Sequence, residues 1–131
     1  MLENAQVTPI LPVADLPRAT AFYRDKLGLK DLGDDPTGQR LLQTGAGSTI
    51  GLMPAEEGAQ TAHTVLTFEI ESAHNEVREL ERRGVSFLDY DTPELRTVDH
   101  IATMGGEKAA WFADSEGNII CVHERAGGDR R

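Results

Sequence analysis

One spacing occurs twice in this chain, and it constrains the fold more than any other feature. Asp15 and Gly28 stand 13 positions apart, and so do Glu71 and Gly84. Each pair brackets a helix. Asp15 is a good N-cap, Pro17 is tolerated in a first turn, and Leu16, Ala19, Phe22, Tyr23 and Leu27 recur at helical spacing. The second helix starts at Glu71 or Ser72 and carries the narrower stripe Ala73, Val77 and Leu80. A glycine ends each helix because it accepts the left-handed φ that a helix stop needs. An alternating run precedes each helix and several short runs follow it. Residues 5–13 alternate Val7, Pro9, Leu11 and Val13 against Thr8, Ile10 and Pro12, and the prolines mark an edge strand. Residues 63–70 alternate Thr64, Leu66, Phe68 and Ile70 against His63, Val65, Thr67 and Glu69. Short strands are predicted near 29–33, 40–44 and 49–53, and again near 85–90 and 100–104 around a long loop at 91–99.

The last run, Ala109 to Glu124, reads as a hairpin. Asp114 to Asn118 is turn chemistry, with Gly117 free to take φ > 0 and Asp114 and Asn118 able to bond nearby backbone. Period two then puts Ile120 and Val122 on one face, and Ile119, Cys121 and His123 on the other. The whole pattern predicts an α+β fold built from a βαβββ module used twice. The modules span about 5–53 and 63–125, with a polar linker at about 54–62 and a tail from Ala126. Placing each helix on the outer side of a curved mixed sheet leaves the opposite faces to form a concave pocket.

Composition narrows the function. At 131 residues the chain is about one domain, large enough for a core without staples. No apolar run approaches the roughly 18 residues of a spanning helix, and the N-terminus lacks a basic-then-apolar signal. A net charge of -9 argues against nucleic acid, which needs a basic face, and weakly favours cationic ligands. The single cysteine, Cys121, excludes an internal disulfide and fits a reducing, cytoplasmic compartment. Gly45 to Ser48 lacks the Lys-Ser/Thr ending of a phosphate loop and the helix that should follow it.

Two segments carry a family resemblance. Val13 to Leu29, with Asp15, Phe22, Tyr23, Leu27 and Gly28, resembles the first strand-helix signature of the vicinal oxygen chelate superfamily. Ala113-Asp-Ser-Glu-Gly-Asn-Ile-Ile120 resembles its last hairpin. That superfamily includes glyoxalase I, extradiol dioxygenases, fosfomycin-resistance enzymes and bleomycin-resistance proteins. Residues 89–112 resemble a glyoxalase-like bacterial subgroup. The resemblance implies a homodimer and, in the enzymes, a divalent metal that chelates two neighbouring substrate oxygens. It assigns the four ligand positions to Thr8, a place near Gly51, Val65 and Cys121. Threonine is a poor ligand for Zn, Ni or Fe, and glycine and valine offer no side-chain donor. The expectation is therefore no metal and no cofactor. A relocated site from His63, Cys121 and His123 remains open, because alternation puts all three on one face.

The candidate ligand-binding residues are Thr8, Gly51, Met53, His63, Val65, Thr67, Trp111, Cys121 and His123, with Ile10 and Thr49 beside them. Trp111 can stack a flat ligand or serve as plain core. His63 and His123 can act as bases or donors, or can be polar residues at strand ends. Cys121 can be a reactive thiol or a small buried apolar residue. His100 reads as a surface-loop residue. The mixed polar and apolar set suits an amphipathic organic molecule. The expected function is metal-independent small-molecule binding, as in bleomycin-resistance proteins, including drug sequestration. The alternative is a metal-dependent glyoxalase-like lyase, isomerase or dioxygenase.

Overall fold

The computed structural model describes residues 1–126. The chain divides between Gln60 and Thr61 into two compact units, each with its own sheet. In the first unit, β1 (Ile10–Val13) leads into α1 (Leu16–Ala21), whose last turn widens into a π-helical turn over Phe22–Lys26. Then follow β2 (Lys30–Asp34), β3 (Arg40–Gln43) and β4 (Thr49–Pro54). The sheet order is β1-β4-β3-β2, with β1 parallel to β4 and the other pairs antiparallel. This is the βαβββ module the sequence predicts.

Local chemistry explains its boundaries. The Asp15 carboxylate accepts from the Arg18 backbone N–H at 3.0 Å and caps α1. Gly28 ends the helical stretch at φ 80°. Ala19, Phe22 and Tyr23 are buried, as are Leu11 and Val13 of β1, Leu42 of β3, and Ile50 and Leu52 of β4. The alternation read from residues 10–13 and 49–53 is therefore the real one. The first strand is shorter than expected. Pro9 still accepts from Gly51 N–H through its carbonyl, at 2.9 Å, but it has no N–H to give. The ladder stops there, and residues 5–8 are exposed.

The second unit contains β5 (Thr64–Glu69), α2 (Ala73–Arg82), β6 (Phe87–Leu88), β7 (Ala102–Met104), β8 (Glu107–Ala113) and β9 (Ile119–Glu124). The order is β5-β9-β8-β6, with β5 parallel to β9. Both short strands pair with β8: β6 along Trp111–Phe112, and β7 along Glu107–Ala109. One strand's place is thus shared by two, with residues 89–101 looping out between them. The strand expected at 85–90 shrinks to two residues because its ends are committed elsewhere. Val85 N–H returns to the Leu80 carbonyl at 2.9 Å, while the Tyr90 carbonyl accepts from Thr97 N–H and the Tyr90 N–H donates to the Thr97 hydroxyl.

Helix α2 is capped twice. Ser72 Oγ accepts from Asn75 N–H at 3.2 Å, and the Glu124 carboxylate at the end of β9 accepts from Ala73 N–H at 2.8 Å. A carboxylate there also suits the positive end of the helix dipole. Ala73, Val77 and Leu80 are buried, as the stripe predicted, with Phe87, Ala110, Phe112, Ile120 and Val122. Glu79 pairs with Arg83 at 2.9 Å, the favourable i,i+4 pair of that helix's solvent face. No helix among the described residues is long and apolar enough to cross a membrane. Of the expected tail, residues 127–131 lie outside the described residues.

Candidate functional site

In the first unit the candidates sit on and beside β1 and β4. Gly51 pairs with Ile10 on one side and Leu41 on the other, and Met53 pairs with Pro12. Thr8 is exposed in the extended segment before β1. Gly51 is filled over by its neighbours. A Cβ there would lie 2.6 Å from Gln39 Oε1 and 2.8 Å from Ile10 Cδ1. The space a side-chain ligand would need is occupied by a carboxamide and an aliphatic chain.

In the second unit, register lines up a row across four strands on the face away from α2. Thr67 pairs with Cys121, Cys121 with Trp111, and Trp111 with Leu88. Tyr90, just past β6, packs edge-on against Trp111 with ring centres 5.4 Å apart at 84°. The Cys121 thiol is buried, and burial pushes its pKa up to about 11 despite a hydrogen bond from Thr67. It is a protonated, apolar surface at neutral pH rather than a ready nucleophile.

The next row holds a charged cluster. His123 Nδ1 lies 2.7 Å from Glu69 Oε1, and Nε2 lies 2.6 Å from Glu107 Oε1. Arg125 Nε adds a longer contact to Glu69 at 3.5 Å. With a carboxylate oxygen at each nitrogen, the arrangement favours the protonated ring, which carries a hydrogen on both. The hydrogen bond to Glu69, then that to Glu107, raises the pKa of His123, and the His123 bond lowers that of Glu107. In that protonated form the ring has no lone pair for a metal or for abstracting a proton.

His63 does not join this cluster. Its backbone N–H bonds to Thr61 Oγ1 at 3.3 Å, and the residue is exposed ahead of β5. The β5–β9 register slips between Thr64 and Leu66, so Val65, 37 % exposed, sits in a bulge. One extra residue breaks the alternation, and the parity that placed His63 with Cys121 and His123 does not carry past it. Thr64 pairs with Ile119, which lies about 13 Å of strand rise from His123 along β9, so His63, one residue ahead of Thr64, and His123 stand at opposite ends of the strands.

The sequence reading missed Glu107 and Tyr90. Period two back from Trp111 through Ala109 reaches Glu107 on His123's face, so the signal for Glu107 was present. Tyr90 lies beyond a strand end, where no periodicity reaches. His100 is more than a surface-loop residue. Its Nδ1 lies 2.9 Å from Asp89 and its Nε2 3.0 Å from Glu81.

The family's metal does not fit these residues. Thr8, Gly51, Val65 and Cys121 supply no adequate donor set, and the relocated trio does not converge, because His63 stands at the other end of the strands from His123. Among the described residues no group of three or more His, Cys, Asp or Glu side chains is arranged to hold a metal ion.

The fold has many solved counterparts. A genomically encoded fosfomycin resistance protein, FosX from Listeria monocytogenes, aligns with a TM-score of 0.70 at 17% identity, covering 95% of this chain and 93% of its own. An integron cassette protein from V. cholerae aligns at 26% identity and TM-score 0.61, covering 96% and 100%. TnmS3, an antibiotic binding protein from Streptomyces sp. CB03234, aligns at 22% identity and TM-score 0.61, covering 94% and 98%. No curated protein matches the chain in sequence. Residues 5–122 match the family model described as Glyoxalase/Bleomycin resistance protein/Dioxygenase superfamily, and the chain belongs to that superfamily.

Proposed function

We propose that this chain is a metal-independent small-molecule binding protein, acting as a cytoplasmic homodimer that sequesters an amphipathic organic ligand. The observation that carries this reading is the fate of the four ligand positions the resemblance assigns. Thr8 is exposed, Gly51 is covered by Gln39 and Ile10, Val65 is an exposed apolar residue, and Cys121 is a buried protonated thiol. What replaces metal chemistry is surface suited to an organic molecule. Trp111 and Tyr90 offer an aromatic corner, and Thr67 and the charged row of Glu69, His123 and Glu107 lie beside it. TnmS3 is an antibiotic binding protein, which supports a binding role for a fold of this kind. FosX has been seen with Mn(II), so the same fold also serves metal-containing proteins, and the donor set of each chain is what separates the two uses.

The test is a metal titration. Purified protein is expected to carry no stoichiometric metal, and Ni, Zn, Mn, Co and Fe(II) should leave its melting temperature unchanged. A metal at 100 times its Kd would add about 2.7 kcal/mol of stability, so a true site would be visible. Stoichiometric metal with a clear rise in melting temperature would overturn the proposal in favour of a metal-dependent lyase, isomerase or dioxygenase.

A further inference from the structure

The loop between β6 and β7 is held by one side chain in an unusual way. His100 reaches Asp89 Oδ1 at 2.9 Å through Nδ1 and Glu81 Oε2 at 3.0 Å through Nε2. Asp89 follows β6 directly, and Glu81 belongs to α2, so the ring ties the loop to the helix. Its flat face stacks on Phe87 of β6, with centres 5.8 Å apart and planes 28° apart. The backbone beneath it is strained. Asp99 and His100 have φ of 51° and 72°, the non-glycine residues in that region among the described residues, within a two-residue turn bridged by Val98 and Ile101. Such a turn suits glycine, and a non-glycine residue there persists only when its surroundings fix it. What fixes His100 is the pair of carboxylates.

The same loop carries Tyr90 to Trp111. Thr97 is the second tie: its hydroxyl bonds Asp89 at 3.1 Å and accepts from Tyr90 N–H at 2.9 Å. Asp89 is therefore shared between the histidine and the hairpin that positions Tyr90.

We propose that His100 is a pH-operated latch: the protonated ring holds the 89–101 loop to α2 and keeps Tyr90 against Trp111, and the neutral ring releases it. A neutral imidazole has one N–H, so it can serve only one of the two carboxylates and turns a lone pair to the other. The groups facing the ring are Asp89 from the end of β6 and Glu81 from α2, while Phe87 is uncharged. The bond to Asp89 is the main cause holding the His100 pKa above its ordinary value. A histidine raised in the folded state stabilises it fully below the unfolded value, and that contribution is lost as pH rises through the folded value. The latch is therefore closed below the ordinary histidine range and opens as pH rises through the raised His100 value. Its consequence for ligand access rests on the proposed function, because Trp111 is then the surface that Tyr90 covers or exposes.

Trp111 is the only tryptophan, so its emission reports this corner without any ligand. The emission should change in one transition as pH rises, with the midpoint at which the His100 ring signal titrates by NMR. His100→Gly suits the positive φ, so it should fold, and it should lose the transition. Glu81→Gln removes one carboxylate and should move the midpoint to lower pH. His123→Gln should keep the transition. A transition that survives in His100→Gly, vanishes only in His123→Gln, or stays in place in Glu81→Gln would overturn the latch. A failed ligand search would leave these readouts untouched, so the two proposals fail separately.

Discussion

Replacing Asp114 with alanine is expected to destabilise the protein by about 3 kcal/mol, because it strands buried donors rather than removing a surface charge. Asp114 is 6% exposed and Asn118 is 0% exposed. The Asp114 carboxylate accepts from the backbone N–H of Glu116 at 2.8 Å, from that of Asn118 at 2.9 Å, and from the Asn118 side-chain amide at 2.9 Å. Alanine removes every one of these acceptors at once. Asp114→Asn keeps an oxygen at one position and is expected to lose roughly half as much. Urea unfolding measures both, and a loss under about 1 kcal/mol for the alanine variant would contradict this reading of the turn. The turn also sets the register of β8 against β9, and with it the row of Thr67, Cys121, Trp111 and Leu88. A slip of one residue would send those side chains to the opposite face.

Phe112→Ala is expected to be at least as damaging, about 3–5 kcal/mol, by lost transfer energy and the cavity left behind. Phe112 is fully buried, pairs with Phe87 on β6 and Ile120 on β9, and meets the Phe87 ring edge-on at 5.5 Å. Phe112→Leu keeps most of the volume and is expected to cost roughly 1–2 kcal/mol. Phe87 is also the shelf beneath His100, so the alanine variant should loosen the loop that carries Tyr90. The check is a double-mutant cycle with Phe87→Leu. A coupling of about 0.5–1.5 kcal/mol is expected for a packed aromatic pair, and strict additivity would argue that the rings do not support each other.

Much of the fold was legible in the residues because local and tertiary signals agree there. The paired Asp15–Gly28 and Glu71–Gly84 spacings gave both helices, and the buried sets Ala19, Phe22, Tyr23 and Ala73, Val77, Leu80 follow the predicted stripes. The hairpin split of Ile120 and Val122 from Cys121 and His123 also holds, since Glu124 caps α2 while His123 meets Glu69 and Glu107. Three things were not legible. The bulge at Val65 leaves no mark in composition, yet it decides where His63 stands. The partition of one strand into β6 and β7 depends on Thr97 bonding back to Asp89 and Tyr90, a contact between residues of no periodic pattern. The pairing of His123 with Glu69, 54 positions away, and of His100 with Asp89 and Glu81 depends on which elements meet, which alternation along one strand cannot reveal.

The central claim is that this chain binds an organic molecule without a metal. The most direct measurement is a titration of metal-stripped protein, held in excess EDTA, with cationic and aromatic antibiotics while Trp111 emission is followed. The account predicts saturable binding to at least one of them in EDTA, unchanged when Mn, Ni or Zn replaces the chelator, and lost or at least tenfold weaker in Trp111→Ala. Binding or turnover that appears only once a divalent metal is restored would contradict it.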